Sequence, residues 1–352
     1  PANCSAIAIE IGLAVDVEMK KGPCYPTLSV IIPVYNGAGT IAACLESIAK
    51  QNYPAGAYEV IVVENGSTDN TTAVVERYPV RLLHSPDCGP AAARNVGLAG
   101  SEFEIVAFTD ADCVADANWL PELVKPYADA SIGGVGGAIL AYDHPDRNAV
   151  EAFSAQSSPL VNYVSGEDEY LPHLYTANAS YRRELVVRVG GFNAQMVTAE
   201  DVDLSWRVQL QTGAKVGYAP QAIVRHRHRA TRLGLAKQYR LYGFGEILID
   251  TMYRKHHGYP RGRRYQLQRL LSQAAVLPQY AASAALYRLR LATGRITPDV
   301  AAIPGLCWLV ESSNIRGKLM GLAATRFMSD ARPALNIEPA ALIARFYSTA
   351  QH

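Results

Sequence analysis

The chain has 352 residues, 49% of them hydrophobic, and 33 Lys and Arg stand against 32 Asp and Glu for a net charge of +1. That balance excludes a disordered chain and a nucleic-acid-coating one, so no nucleic-acid partner is expected. A single core stops growing near roughly 250 to 300 residues, so the length predicts two units.

The first residues carry a period of two. Ile7, Ile9, Ile11, Leu13, Val15 and Val17 alternate with smaller or polar positions until Lys20, Lys21, Gly22 and Pro23 break the pattern, as in a half-buried strand. Residues 1–26 therefore read as a strand-like extension that pairs with a sheet edge or with a second subunit in a homo-oligomer. Glu10, Asp16 and Glu18 interrupt any apolar run of the kind a secretory signal needs. The six cysteines (Cys4, Cys24, Cys44, Cys88, Cys113, Cys307) show no Cys-x-x-Cys pair and no zinc spacing, which predicts reduced thiols and a cytoplasmic location.

From Leu28 short apolar runs alternate with helical segments. The runs are Leu28 to Ile32, Val60 to Val63, Val80 to Leu83 and Ile105 to Phe108; between them lie Ile41 to Lys50, Thr71 to Tyr78 and the alanine-rich Ala91 to Ala99. This alternation predicts an α/β fold, a Rossmann-like sheet with helices on both faces. Ligands of such sheets sit beyond the carboxyl ends of the strands. Those ends are polar here: Pro33-Val34-Tyr35-Asn36, then Glu64-Asn65-Gly66-Ser67-Thr68-Asp69, then Asp110-Ala111-Asp112.

Two carboxylates one residue apart reach the same crevice only if the chain leaves its strand there and turns. Asp110 and Asp112 can then share a divalent cation, Mn2+ or Mg2+, which accepts one or two carboxylates together with phosphate oxygens. Tyr35 can stack on a base, and the backbone of Pro33 to Asn36 can read it. Arg94 opens toward the same crevice, where a guanidinium pairs with phosphate or base. Glu200 and Asp201 start a helix whose positions Val202, Leu204, Val208 and Leu210 should pack. Asp201 is the candidate general base, kept ionised by the helix N-terminus, and Asp203 orients the site. Capping of that helix is the plainer role of the pair.

These four stretches, in this order, resemble family 2 glycosyltransferases of the GT-A fold over roughly residues 27–230. The resemblance implies an inverting, metal-dependent transfer of a sugar from a nucleotide diphosphate sugar, UDP-sugar favoured. It assigns direct metal ligation to Asp112, ribose contact to Asp110 and the base role to Asp201, with Glu200 beside it. Glu64 stands where the family usually has aspartate. It further implies that Asn178 and Gly191, in Thr176 to Arg183 and Gly190-Gly191-Phe192, line the donor sugar, with Ala111 in the nucleotide site. His226 is implied to coordinate metal or phosphate, while a structural histidine is an equally open reading; His228 is weaker.

Beyond Thr231 residues at helical spacing, such as Leu267, Leu270, Leu271, Ala274 and Leu277, predict a helical C-terminal appendage over 231–352. Between Arg225 and Arg269 there are twelve Lys or Arg against two acids. This basic stretch suits an anionic membrane surface or a lipid-linked acceptor, or is simply a solvated face. Gln266 to Leu270 resembles the Gln-x-x-Arg-Trp motif of processive synthases with Leu270 in place of tryptophan, so transfer of a single sugar to a glycan, lipid-linked or small-molecule acceptor is expected. A non-catalytic sugar-nucleotide-binding scaffold of the same fold and a sugar nucleotidyltransferase are the competing readings; the second lacks its Gly-rich phosphate loop after the first strand.

Overall fold

A computed structural model describes residues 25–158, 160, 162 and 170–326. The strand-like extension expected over residues 1–26 lies almost wholly outside the described residues. Five strands and helices open the chain in strict alternation: β1 (Leu28–Val34), α1 (Ile41–Ala49), β2 (Tyr58–Glu64), α2 (Thr71–Val75) and β3 (Arg81–His84). Then come α3 (Pro90–Gly100), β4 (Ile105–Thr109), β5 (Cys113–Ala115), α4 (Trp119–Val124), β6 (Ile132–Ala141), α5 (Ala149–Ser157), β7 (Asn178–Arg182), α6 (Arg183–Arg188), α7 (Glu200–Thr212) and β8 (Lys215–His226). Three long helices close the described part, α8 (Arg232–Tyr253), α9 (Arg263–Ala292) and α10 (Pro298–Thr325).

The eight strands form one sheet in the order β3-β2-β1-β4-β7-β6-β8-β5. The β3-β2-β1-β4 half is parallel, as the apolar runs imply, and β7 then pairs antiparallel with both β4 and β6. In β1 the side chains of Leu28, Val30, Ile32 and Val34 pack with α1, Trp119 and Tyr127 on one face. Ile31 joins Ile61, Val63, Ala93 and the α7 residues Leu204 and Val208 on the other. A strand covered on both sides has no polar position to alternate with, hence the unbroken apolar run. In α7 it is Trp206 that is buried, while Leu210, expected inside, is exposed.

Strand β6 has no such run, because glycine replaces bulk where neighbours crowd the backbone. A Cβ on Gly134 would lie 2.7 Å from the Tyr181 ring, and one on Gly137 would lie 2.1 Å from the Ala222 carbonyl oxygen and 2.4 Å from Asn178 Nδ2. We expect Gly137→Ala to cost about 3 kcal/mol, since backbone cannot retreat as a flexible side chain does. Urea unfolding with a lower midpoint and an unchanged slope would register it.

Helix α8 packs Phe244, Leu248, Ile249 and Tyr253 around Trp206 of α7. Helix α10 lies against α8 with glycines at the crossing: Cβ atoms on Gly243 and Gly317 would fall 2.1 Å and 1.9 Å from the carbonyl oxygens of Asn314 and Arg240. Gln266 at the start of α9 donates to Asp250 at 3.1 Å, so the residues resembling a synthase motif tie α9 to α8.

Candidate active site

The turns after β1 and β2 are sewn together. Asn36 adopts a left-handed backbone, φ 49°, which asparagine tolerates better than most residues. Its N–H donates to Ser67 Oγ at 2.9 Å, and its Oδ1 accepts the Thr68 N–H at 2.8 Å. Gly37 N–H reaches Thr71 Oγ1 at 2.8 Å, and Ala38 N–H reaches Asp69 at 3.2 Å. Glu64, at the end of β2, accepts the Ser67 N–H and contacts His84 Nδ1 at 3.4 Å. Burial pushes its carboxyl up, but the Ser67 and Gly66 amides and His84 outweigh that and hold it below the ordinary value. Glu64 thus braces the turn. Val34 is buried and its carbonyl is taken by Asn65 N–H, which corrects its expected place among ligand-facing groups. Tyr35 is 48% exposed beside it, and Pro33 is half-buried.

After Thr109 the chain leaves β4, turns through Asp110-Ala111-Asp112 with Cys113 N–H on the Asp110 carbonyl at 3.0 Å, and enters β5. Strand β5 runs antiparallel to β8 with Cys113 opposite His226. That register carries the imidazole to the acidic turn: one carboxylate oxygen each from Asp110 and Asp112 and one ring nitrogen of His226 lie within 4.8 Å of one another. His226 Nε2 is 3.5 Å from Asp112 Oδ1. Asp112 Oδ1 and His226 Nδ1 are buried and make no hydrogen bond. Buried polar atoms without partners are costly, and two carboxylates with an imidazole are a donor set a hard or borderline divalent cation accepts. The residues therefore fit the cation that the Asp-x-Asp pattern implies. Beneath them Cys44 and Cys113 are free thiols, pushed up by burial and then by Asp112 and Asp110.

Arg94 is where the structure departs most from expectation. It is buried, and it donates to Asp110 Oδ1 at 2.9 Å and to Glu200 Oε1 at 2.7 Å. Both contacts are to protein carboxylates, so Arg94 is a clasp joining the acidic turn to the start of α7. Glu200 is buried and held in that clasp.

Asp201, the next residue, is half-buried. Its oxygens accept the N–H groups of Val202 at 2.9 Å and Thr176 at 3.4 Å. Burial and then the neighbouring Glu200 raise it to about 7, against the lowering pull of Arg94 and the two amides. The expectation that the helix N-terminus keeps it fully ionised is thus corrected, because desolvation and a like charge outweigh the helix end. Ala199, just before it, takes φ 61°, a left-handed backbone that alanine rarely adopts. Asp203 is buried between Arg207 at 2.7 Å and Tyr253 OH at 2.8 Å, and serves as a strut.

Two expected donor contacts are corrected. Asn178 is fully buried: its Oδ1 accepts Trp119 Nε1–H at 2.8 Å and its Nδ2 donates to the carbonyls of Ala138 and Ala222, each at 2.8 Å. Gly191 is buried too, and its φ of 71° with a Cβ position 2.6 Å from Asn95 Oδ1 shows a close approach to the Asn95 side chain. One residue was missed: Arg229 Nη1 lies 3.7 Å from Asp112 Oδ2, and its signal was the run His226-Arg227-His228-Arg229 leaving β8 toward the acidic turn. His228 is pushed down to about 4 by burial and then by His226.

The family model for Glycosyl transferase family 2 matches residues 29–190. The pre-mycofactocin glycosyltransferase of Mycobacterium tuberculosis is 34% identical over 218 residues, 59% of this chain and 44% of its own length. The chain thus spans less than half of that relative. Glycosyltransferase AglE of Haloferax volcanii is 31% identical over 231 residues, 64% of this chain and 74% of AglE. Among solved structures, the mannosyltransferase PcManGT of Pyrobaculum calidifontis, in complex with GDP-Man and Mn2+, superposes with a TM-score of 0.50 at 21% identity, covering 94% of this chain and 82% of that one. That likeness is one of fold.

Proposed function

Because the chain belongs to glycosyl transferase family 2 and has its GT-A fold, we propose that it moves a single sugar, with inversion, from a nucleotide diphosphate sugar to an acceptor hydroxyl. The observation that supports this reading is the Arg94 clasp: one guanidinium bonded to Asp110 and to Glu200 holds the acidic turn next to the start of the Asp201 helix.

In this reading Asp110, Asp112 and His226 would hold Mn2+ or Mg2+, which when bound supplies positive charge for the departing diphosphate. Arg229 adds a fixed positive charge beside Asp112. The nucleoside rests on the sewn turns of β1 and β2, with the exposed Tyr35 ring as its stacking surface and the Asn36 to Ala38 backbone fixed by Ser67, Asp69 and Thr71. Asp201 takes the acceptor's hydroxyl proton as the oxygen attacks the anomeric carbon from the face away from the phosphate. A base raised to about 7 accepts that proton more readily than an ordinary carboxylate and remains substantially ionised at neutral pH. Arg94 keeps Glu200 paired beside it.

A thermal-shift series with UDP and GDP, with and without Mn2+, tests this. A ligand that binds only the folded state at about a hundred times its dissociation constant adds roughly 2.7 kcal/mol. We expect UDP with Mn2+ to raise the melting temperature by several degrees and Asp112→Asn to remove the metal-dependent part. Failure of both nucleotides to stabilise the unmutated chain in the presence of metal overturns the reading.

A further inference from the structure

Helix α9 packs on α10 along one face and leaves an apolar stripe exposed along another. One face meets α10, where Gln273 bonds Glu311 at 3.0 Å and Asn314 at 3.2 Å. No residue of α9 is buried. On the outward face Leu267, Leu271, Ala274, Pro278, Ala285 and Leu289 recur at steps of three, four or seven and all are exposed. Leu267, Leu271 and Leu289 are 57%, 60% and 63% accessible. The stripe runs for about 33 Å at 1.5 Å per residue. A water-facing helix surface is normally polar.

The charged residues of α9 and its flanks are of one sign, and the acids that meet this helix, Asp250, Glu246 and Glu311, bond its Gln266, Arg269 and Gln273. Residues 261–297 contain seven arginines and no Asp, Glu or Lys. Arg263 and Arg264 stand at one end of the stripe, Arg288, Arg290 and Arg295 at the other, and all five are exposed. A second copy laid across this face would set arginine against arginine in a self-complementary contact. An anionic lipid surface meets both halves of the pattern: leucines enter the acyl boundary and guanidinium groups pair with headgroup phosphates. Among the described residues no helix is long and apolar enough to cross a membrane. Pro278 lies inside α9 and removes the N–H that would have bonded the Ala274 carbonyl on the same stripe, so this helix suits the hydrated headgroup level and not the hydrocarbon core.

We infer that α9 is an in-plane docking helix for an anionic lipid surface. This goes beyond the transfer reaction and does not depend on it. Co-sedimentation of the full chain with phosphatidylcholine vesicles, with and without phosphatidylglycerol, is the test. The chain should sediment only with the anionic vesicles and be released by salt. Arg288→Ala with Arg290→Ala should lower the partition coefficient about 30-fold, from roughly 1 kcal/mol per arginine. Leu267→Ser, Leu271→Ser and Leu289→Ser together should abolish sedimentation without moving the melting temperature. Should the leucine variant fail to fold, the arginine pair decides, because those side chains are exposed. Absence of anionic-vesicle binding, binding unchanged in the arginine variant, or a dimer in solution that the leucine variant dissolves would each overturn the inference.

Discussion

Asp201→Asn should lower kcat by about 10³-fold, within the roughly 10² to 10⁴ that a positioned general base contributes, while UDP still stabilises the protein in the presence of Mn2+. The amide keeps the shape of the carboxylate but only one of its two backbone bonds, because its NH2 cannot accept an N–H as the second oxygen does, and it cannot take the hydroxyl proton. The pH dependence gives a second reading of the same group. With Asp201 raised to about 7 by burial and by Glu200, the rate should fall close to tenfold per pH unit below that value. Stability runs the other way. A carboxyl whose folded value lies above its unfolded one favours the folded state below the unfolded value, and that contribution is lost as pH rises through about 7. The asparagine variant should therefore be less active yet more stable than the parent above pH 7, with the gap closing on acidification; chemical denaturation at pH 5 and pH 8 measures it. Equal stability at both pH values would show that Asp201 is not raised, and undiminished kcat would remove it from the reaction.

Arg94→Ala should cost about 3 to 5 kcal/mol, the usual consequence of removing one partner from a buried ion pair. Two carboxylates, Asp110 and the buried Glu200, would be left without the cation that separates them. Arg94→Lys retains the charge but not the fork that reaches two partners at once, so it should recover only part of that loss. Nucleotide binding and turnover should both suffer, because the acidic turn and the α7 start move independently once the clasp is gone. A variant with unchanged denaturation midpoint would show that Asp110 and Glu200 are held by other contacts.

Much of this was legible in the residues. The β1, β2 and β4 runs read as buried strands because both of their faces are covered, and the acidic turn stood out because it ends one of them. What could not be read were the contacts that cross the sheet. Strand β6 was missed because its glycines mark where Tyr181, Asn178 and Ala222 press on its backbone, a fact that belongs to the neighbours and not to β6. Asn178 was expected at the donor sugar from the family resemblance of Thr176 to Arg183; its partners Trp119, Ala138 and Ala222 lie 40 to 59 positions away. Arg94 was expected at phosphate or base because its helix opens toward the crevice; Glu200, which takes half of its fork, is 106 residues distant.

The order of strands also constrains how the molecule is assembled. Strand β4 is finished at Thr109, yet its antiparallel neighbour β7 is not reached until Asn178. During synthesis the first half of the sheet must therefore wait with an open hydrogen-bonding edge, which invites pairing with another nascent chain. The cluster of Asp110, Asp112 and His226 is finished later still, because His226 arrives only at the end of β8. Ribosome-bound fragments shorter than that cannot assemble the site, however well their first strands have paired.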